Sequence, residues 1–105
     1  MIVLIETPWD ALEPTVAKDY LRSCIRDALL RGEVPLSRAA LINLTEALNT
    51  QDPDQKFEIK KVHKQMVASS GLVAFYEDQG WSKAMVKVTE WAHAAKIRVV
   101  RRKVF

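Results

Sequence analysis

The chain opens with Met1-Ile2-Val3-Leu4-Ile5, an unbroken apolar run rich in branched side chains, which Glu6-Thr7-Pro8 ends. A continuous run of this kind is typical of a strand that is buried on both faces of a sheet. A second run of the same character, Gly71-Leu72-Val73-Ala74-Phe75-Tyr76, is closed by the turn Glu77-Asp78-Gln79-Gly80. Both runs therefore predict buried strands.

Helical patterns separate and follow these two strands. Apolar residues recur at intervals of three and four from Pro14 to Arg31, and Gly32 follows as a stop. Asp52 is the predicted cap of a helix that runs to about Ser69, with Pro53 at its first position. Ser82 caps a further helix, whose apolar stripe consists of Met85, Val88, Trp91, Ala92 and Ala95.

The remaining segments complete an α/β pattern. Val34-Pro35-Leu36 can begin a short strand, Ser37 to Leu48 contains good helix formers, and Ile97 to Val104 is typical of a last strand. This order predicts a small, mainly parallel sheet of three or four strands with helices on both faces. A length of 105 residues leaves room for one domain only, residues 1–105.

Composition and charge exclude several classes of protein. The hydrophobic fraction of 49% excludes a disordered chain, and the single cysteine, Cys24, can form neither an internal disulfide nor a zinc site. This cysteine usage favours a reducing cytosol, and no apolar run is long enough to span a bilayer, so we expect a cytoplasmic protein. The glycine-rich, phosphate-loop and nucleophile-elbow motifs of dehydrogenases, nucleotidases and serine hydrolases are absent. We expect no cofactor and no metal.

Isolated polar residues inside the predicted helices have structural explanations. His63 and His93 have no nearby cysteine or histidine partners, which predicts exposed or half-buried structural roles for both. Cys24 falls on the apolar face of its helix, where it is expected to be a small core residue.

Two loops carry the candidate site. Since the strands are expected to be parallel, the loops Glu6–Glu13 and Glu77–Trp81 leave the same, carboxyl edge of the sheet. The first loop places Trp9 beside a carboxylate and a hydroxyl, a combination suited to gripping a sugar and stacking a base. The amides after Ser82 can bind a phosphate at the start of a helix. The alternative explanations are an ordinary turn with an aromatic lid and an ordinary helix cap.

Basic residues are concentrated in the second half of the chain. Residues 1–54 carry a net charge of −4 and residues 55–105 one of +7. The basic side chains could form a surface that follows a phosphate backbone, or they could be a solvated helix face and a charged, aggregation-resistant edge strand. The second explanation is favoured, because no aromatic residues interleave with these charges. The side chains concerned are Lys56, Lys60, Lys61, Lys64, Arg98, Arg101, Arg102 and Lys103.

Three stretches resemble a known group: Ile2 to Trp9, Tyr20 to Pro35, and Asp78-Gln79-Gly80-Trp81-Ser82-Lys83-Ala84-Met85. Together they are similar to small phage and bacterial proteins of the nucleoside 2-deoxyribosyltransferase-like family, and a phage-encoded member is expected in the host cytoplasm. The likeness covers most of the chain and is weakest from Ser37 to Thr50. It implies a Rossmann-like sheet, a nucleoside-sized pocket at its carboxyl edge, and homo-oligomers that often complete the pocket.

The resemblance also bears on catalysis. Deoxyribosyltransferases use a glutamate nucleophile on the helix after the Asp-x-Gly-like turn, and this chain has Val88 at the corresponding position. Glu77 and Glu6 are the remaining catalytic candidates. The sequence therefore favours binding of a nucleoside, nucleotide or nucleotide-derived signal over cleavage or exchange of an N-glycosidic bond.

The expected roles of the site residues follow from this hypothesis. Trp9 would stack on the base, Glu6 and Asp78 would accept hydrogen bonds from ribose hydroxyls, and the helix after Ser82 would receive a phosphate. A rival hypothesis is an interaction module whose basic second half docks on a host protein or, less favoured, on nucleic acid. The predicted ligand-binding residues are Glu6, Thr7, Pro8, Trp9, Asp78, Gly80, Ser82 and Met85.

Overall fold

A computed structural model, which describes residues 1–105, shows a sheet of four parallel strands in the order β2-β1-β3-β4. The elements are β1 (Ile2–Glu6), α1 (Pro14–Leu30), β2 (Val34–Leu36), α2 (Pro53–Ser69), β3 (Leu72–Tyr76), α3 (Lys83–Ala94) and β4 (Val99–Arg102), with a 3₁₀ turn at Trp9–Ala11 and a π-helical turn at Ala39–Asn43. This confirms the predicted α/β class.

The two apolar runs form the centre of the sheet. β1 pairs with β3 from Val3 opposite Leu72 to Glu6 opposite Phe75, and β2 and β4 pair outside them. Every residue of β3 is buried, as are the last four of β1. Strands covered on both faces need this continuous apolar character, which explains why these two runs were visible in the sequence.

Helices cover the two faces of the sheet unequally. α1 packs on one face, where Tyr20, Leu21 and Cys24 meet alternate side chains of β1 and β3. α2 and α3 pack on the other face, where Met66, Met85 and their neighbours meet the intervening side chains. The chain thus forms a small three-layer, Rossmann-like domain. No helix in it has both the length and the apolar character required to cross a membrane.

The chain leaves β1 and β3 toward opposite faces, because α1 follows β1 and α3 follows β3. In open parallel sheets, ligands bind in the crevice beside such a point, at the carboxyl ends of the strands. The helix starts are those predicted: Asp52 accepts hydrogen bonds from the amides of Asp54 and Gln55, and Ser82 accepts one from the amide of Met85.

The segment after β2 differs from the expectation. The predicted helix from Ser37 to Leu48 is wrong, since only Ala39–Asn43 forms a short π-helical turn. The Ser37 hydroxyl does cap its start, but Glu46 has a φ of 54° and the Thr45 hydroxyl bonds back to the carbonyl of Leu41. Leu41 and Leu44 are exposed, so a longer helix would have little apolar face to pack. The last strand is also shorter than predicted.

Candidate functional site

The carboxyl edge brings the two predicted loops together as expected, because β1 and β3 are parallel neighbours. Their tryptophans, however, lie on opposite faces of the sheet. Trp9 packs against the core beneath α1, whereas Trp81 stacks on Phe75 in the α2 and α3 layer, with ring centroids 4.7 Å apart. The two rings therefore do not enclose one common hollow. Trp81 instead lines a separate shallow groove with Arg101.

Asp78 is fully engaged within the protein. Its carboxylate accepts hydrogen bonds from the Tyr20 hydroxyl at 2.7 Å and from the amides of Val104 and Phe105, each at 2.9 Å. Partial burial tends to raise the pKa of this carboxyl, but the donated hydrogen bonds outweigh it and lower the pKa. The oxygens predicted to hold a ribose hydroxyl hold the end of the chain.

The other residues of the second loop also have partners. Glu77 accepts hydrogen bonds from the indole of Trp81 at 3.0 Å and from Arg101 at 2.8 Å, and these bonds lower the pKa of its carboxyl. Gly80 has a φ of 88°, a conformation that favours glycine, and Met85 is completely buried. On the first loop, Thr7 and Pro8 are buried.

Glu6 forms a buried pair that the sequence did not predict. Its carboxylate lies 2.5 Å from Nε2 of His63, and the two side chains are 7% and 6% exposed. The prediction of an exposed or half-buried His63 is wrong, because α2 turns this residue onto the sheet. The signal was its position on one helix face with Ile59, Met66 and Val67, at intervals of three and four.

A groove of about 430 Å³ lies above this pair, between α2 and α3 at the carboxyl edge. We call it the α2 groove. Its aromatic walls are Phe57 and Trp91, so the expectation that no aromatic residue interleaves with the α2 lysines is wrong. The Trp91 ring meets the His63 ring edge-on at 5.4 Å between centroids. It is lined by Arg38, Pro53, Lys56, Phe57, Ile59, Lys60, His63, Ala84 and Trp91.

The α2 groove adjoins a second, more polar hollow. The two cavities share Arg38, Lys56 and Ile59. The second hollow is also lined by Asn43, whose side-chain oxygen is buried without a hydrogen-bond partner. The remaining lining residues are Asp10, Thr50 and Gln51.

Three cationic side chains converge on the groove. Lys56 and Lys60 form no ion pair, and Arg38 lies 3.5 Å from the exposed carboxylate of Asp10. Lys64 sits over the Trp91 ring at 5.4 Å, at the groove's edge. The concentration of positive charge is thus on α2 and the loop after β2.

Arg102, at the end of β4, does not extend this surface. Arg102 makes a bidentate ion pair with Glu33, at 2.8 and 2.7 Å, and also donates to the Tyr76 hydroxyl. Tyr76 belongs to the core beneath α1, on the face opposite α2. A single phosphate-binding surface that includes Arg102 and the α2 lysines is therefore incorrect, since the sheet separates them.

The choice of Glu77 and Glu6 as catalytic candidates stays a prediction. Val88, at the nucleophile position of the resembled family, is completely buried in the core and supplies no carboxylate. No cluster of three metal-ligating side chains is present.

Comparisons with known proteins add no relative. The sequence matches none of the protein-family models against which it was scanned, and a search of curated proteins finds no significant match. The likeness to nucleoside 2-deoxyribosyltransferase-like proteins stays a prediction.

Proposed function

We propose that the protein binds a nucleoside phosphate in the α2 groove. The observation that carries this proposal is the convergence of Arg38, Lys56 and Lys60 on one groove, with no carboxylate paired to either lysine. Unpaired cations beside a concave surface attract phosphate, which accepts charge-assisted hydrogen bonds from them. The binding residues therefore differ from most of those proposed from the sequence, while the edge of the sheet is the same.

The walls of the groove suit the rest of a nucleotide. Trp91 and Phe57 offer aromatic surface on which a base can stack, and stacking tolerates any base. A volume of about 430 Å³ falls within the range of small-molecule sites. The buried Glu6 and His63 pair places polar atoms at the floor, where specificity is usually determined.

The first experiment measures binding of nucleoside 5′-monophosphates by isothermal titration calorimetry and thermal shift. We expect the monophosphates to raise the melting temperature, and the matching nucleosides and inorganic phosphate to bind more weakly, because each presents only part of the ligand. Raising the salt concentration should weaken binding of the monophosphates.

Variants assign the binding to this groove. The double substitution Lys56→Ala/Lys60→Ala should weaken monophosphate binding by about tenfold or more, corresponding to the loss of roughly 1.4 kcal/mol or more from two charge-assisted contacts. The matched control is Lys18→Ala/Lys87→Ala, which removes the same charge from exposed positions that lie outside the groove. Equal weakening in both double variants, or no binding of any monophosphate, would refute the proposal.

Bond cleavage is not part of this proposal. Glu6 lies against His63, and Glu77 accepts hydrogen bonds from Arg101 and Trp81, so both candidate carboxylates have structural partners and neither is assigned a catalytic role. Docking of a host protein, self-association and a cytoplasmic location remain predictions from the sequence, and sedimentation analysis of the purified protein tests the second of these.

A further inference from the structure

We infer that Nδ1 of His63 accepts a hydrogen bond from a hydroxyl group of the bound ligand, so that the α2 groove selects a sugar phosphate with free hydroxyls. This inference rests on the proposed function and names the part of the ligand that the floor of the groove recognises. It follows from the partner of His63, the position of its free nitrogen and the chemistry of the surrounding groups.

The contact with Glu6 bears on the tautomer of His63. The Glu6 carboxylate is next to Nε2, and an ionised carboxylate can only accept hydrogen bonds. Nε2 must then carry a proton. If the imidazole is neutral, Nδ1 has a lone pair and no hydrogen, as in histidines whose tautomer is set by a carboxylate. An imidazolium would instead donate from Nδ1, and the ribonucleotide would then have no advantage over an analogue without sugar hydroxyls.

The other ring nitrogen of His63, Nδ1, is free to meet a ligand. Nδ1 has no hydrogen-bond partner in the protein, and it is not among the polar atoms sealed from solvent. His63 lines the α2 groove although its side chain is only 6% exposed, and Nδ1 is its one ring nitrogen without a partner that could meet a ligand there. The edge-on contact with Trp91 restricts rotation of the imidazole.

The group that complements Nδ1 is a hydroxyl of the ligand. A lone pair needs a donor, and the oxygens of an ionised phosphate carry no hydrogen. Lys56, Lys60 and Arg38 are the groups that suit the phosphate. A hydroxyl elsewhere on the same ligand satisfies Nδ1, which is otherwise a desolvated acceptor without a partner once the ligand covers it.

The binding experiment compares a ribonucleoside 5′-monophosphate with its 2′,3′-dideoxy analogue, which lacks both sugar hydroxyls. The wild-type protein should bind the ribonucleotide about tenfold more tightly, as expected for losing one hydrogen bond to a buried acceptor. His63→Gln keeps an amide donor for Glu6 but has no atom equivalent to Nδ1. It should bind both compounds with nearly the same affinity, while His93→Gln, on the exposed end of α3, retains the preference.

A spectroscopic measurement supports the same inference without a variant. Long-range ¹H–¹⁵N spectra of the wild-type protein should show His63 protonated at Nε2 only, and the Nδ1 resonance should shift when the ribonucleotide is added but not the dideoxy compound. A proton on Nδ1 in the free protein would overturn the inference.

The outcomes separate the two proposals. Equal binding of the ribonucleotide and the dideoxy compound by the wild-type protein overturns the role of His63 and leaves the proposed function standing. Failure of every monophosphate to bind overturns both. If His63→Gln lowers the melting temperature strongly, the spectra and the wild-type comparison of the two ligands still decide the matter.

Discussion

Replacing Arg102 by methionine tests whether the basic last strand is structural. The Arg102 side chain is 10% exposed and the facing Glu33 side chain 15% exposed, and two hydrogen bonds join them. Arg102→Met keeps most of the aliphatic stem but leaves Glu33 and the Tyr76 hydroxyl without their donor. Removing one partner of a buried pair costs about 3 to 5 kcal/mol. Since both groups retain some exposure, we expect a loss of about 3 kcal/mol.

The assay is urea unfolding followed by tryptophan fluorescence. For a domain of this size, a loss of about 3 kcal/mol corresponds to a fall in melting temperature on the order of 12 °C. Arg101→Met is the matched control, because its side chain is 68% exposed and pairs with Glu77 at the surface. Surface pairs contribute less than about 1 kcal/mol, so the control should remain close to wild type.

A double-mutant cycle isolates the pair. Glu33→Gln combined with Arg102→Met should be less destabilised than the sum of the single variants, with a coupling of about 2 kcal/mol, because the double variant leaves no unpaired buried charge. Similar losses for Arg101→Met and Arg102→Met, or additive single and double variants, would refute the structural role of Arg102.

Three further predictions concern buried groups. Val88→Glu should unfold much of the protein, because it buries a carboxyl without a partner in the core at a cost of about 3 kcal/mol or more; a melting temperature within about 2 °C of wild type would contradict this. Hydrogen bonds lower the pKa values of Glu33 and Asp78 in the folded state, so their contribution to stability is present above about pH 4.5 and is lost as the pH falls through the folded-state values. The urea midpoint should therefore fall as the pH is lowered from 6 to 2, and it should fall less steeply in Asp78→Asn. Burial raises the pKa of Cys24 to about 12, so iodoacetamide at pH 8 should label the thiol only in denaturant; rapid labelling of the folded protein would show that the α1 layer opens readily.

The boundaries of the main helices followed from local chemistry. Asp52 with Pro53, and Ser82, bind the first free amides of their helices in the structure, and these contacts involve residues two or three positions apart. In the segment after Ser37, by contrast, the cap and the apolar pattern do not support the same helix. A capping hydroxyl starts a turn there, but the exposed Leu41 and Leu44 give it nothing to pack against.

For the candidate site, the sequence predicted only its location at the carboxyl edge of the sheet. Parallel strands must end together, so the location of the loops after β1 and β3 was readable from the order of the elements. Which side chains face one another was not, because the chain runs from Trp9 to α1 on one face and from Trp81 to α3 on the other. Asp78 looked available for a ligand, yet Tyr20 and the amides of Val104 and Phe105 occupy its oxygens.

By itself, then, the amino-acid order determined the α/β class, the central strands and the capped helices, since these depend on periodicity and on hydrogen bonds between near neighbours. Only the tertiary structure decided that Glu6 meets His63, 57 positions away, and that Arg102 meets Glu33, 69 positions away. Such pairs depend on which helix covers which face of the sheet. The type and charge of a residue do not show which distant residue it will contact. The pairing of Glu6 with His63 at the floor of the groove therefore depends on how the helices pack on the sheet.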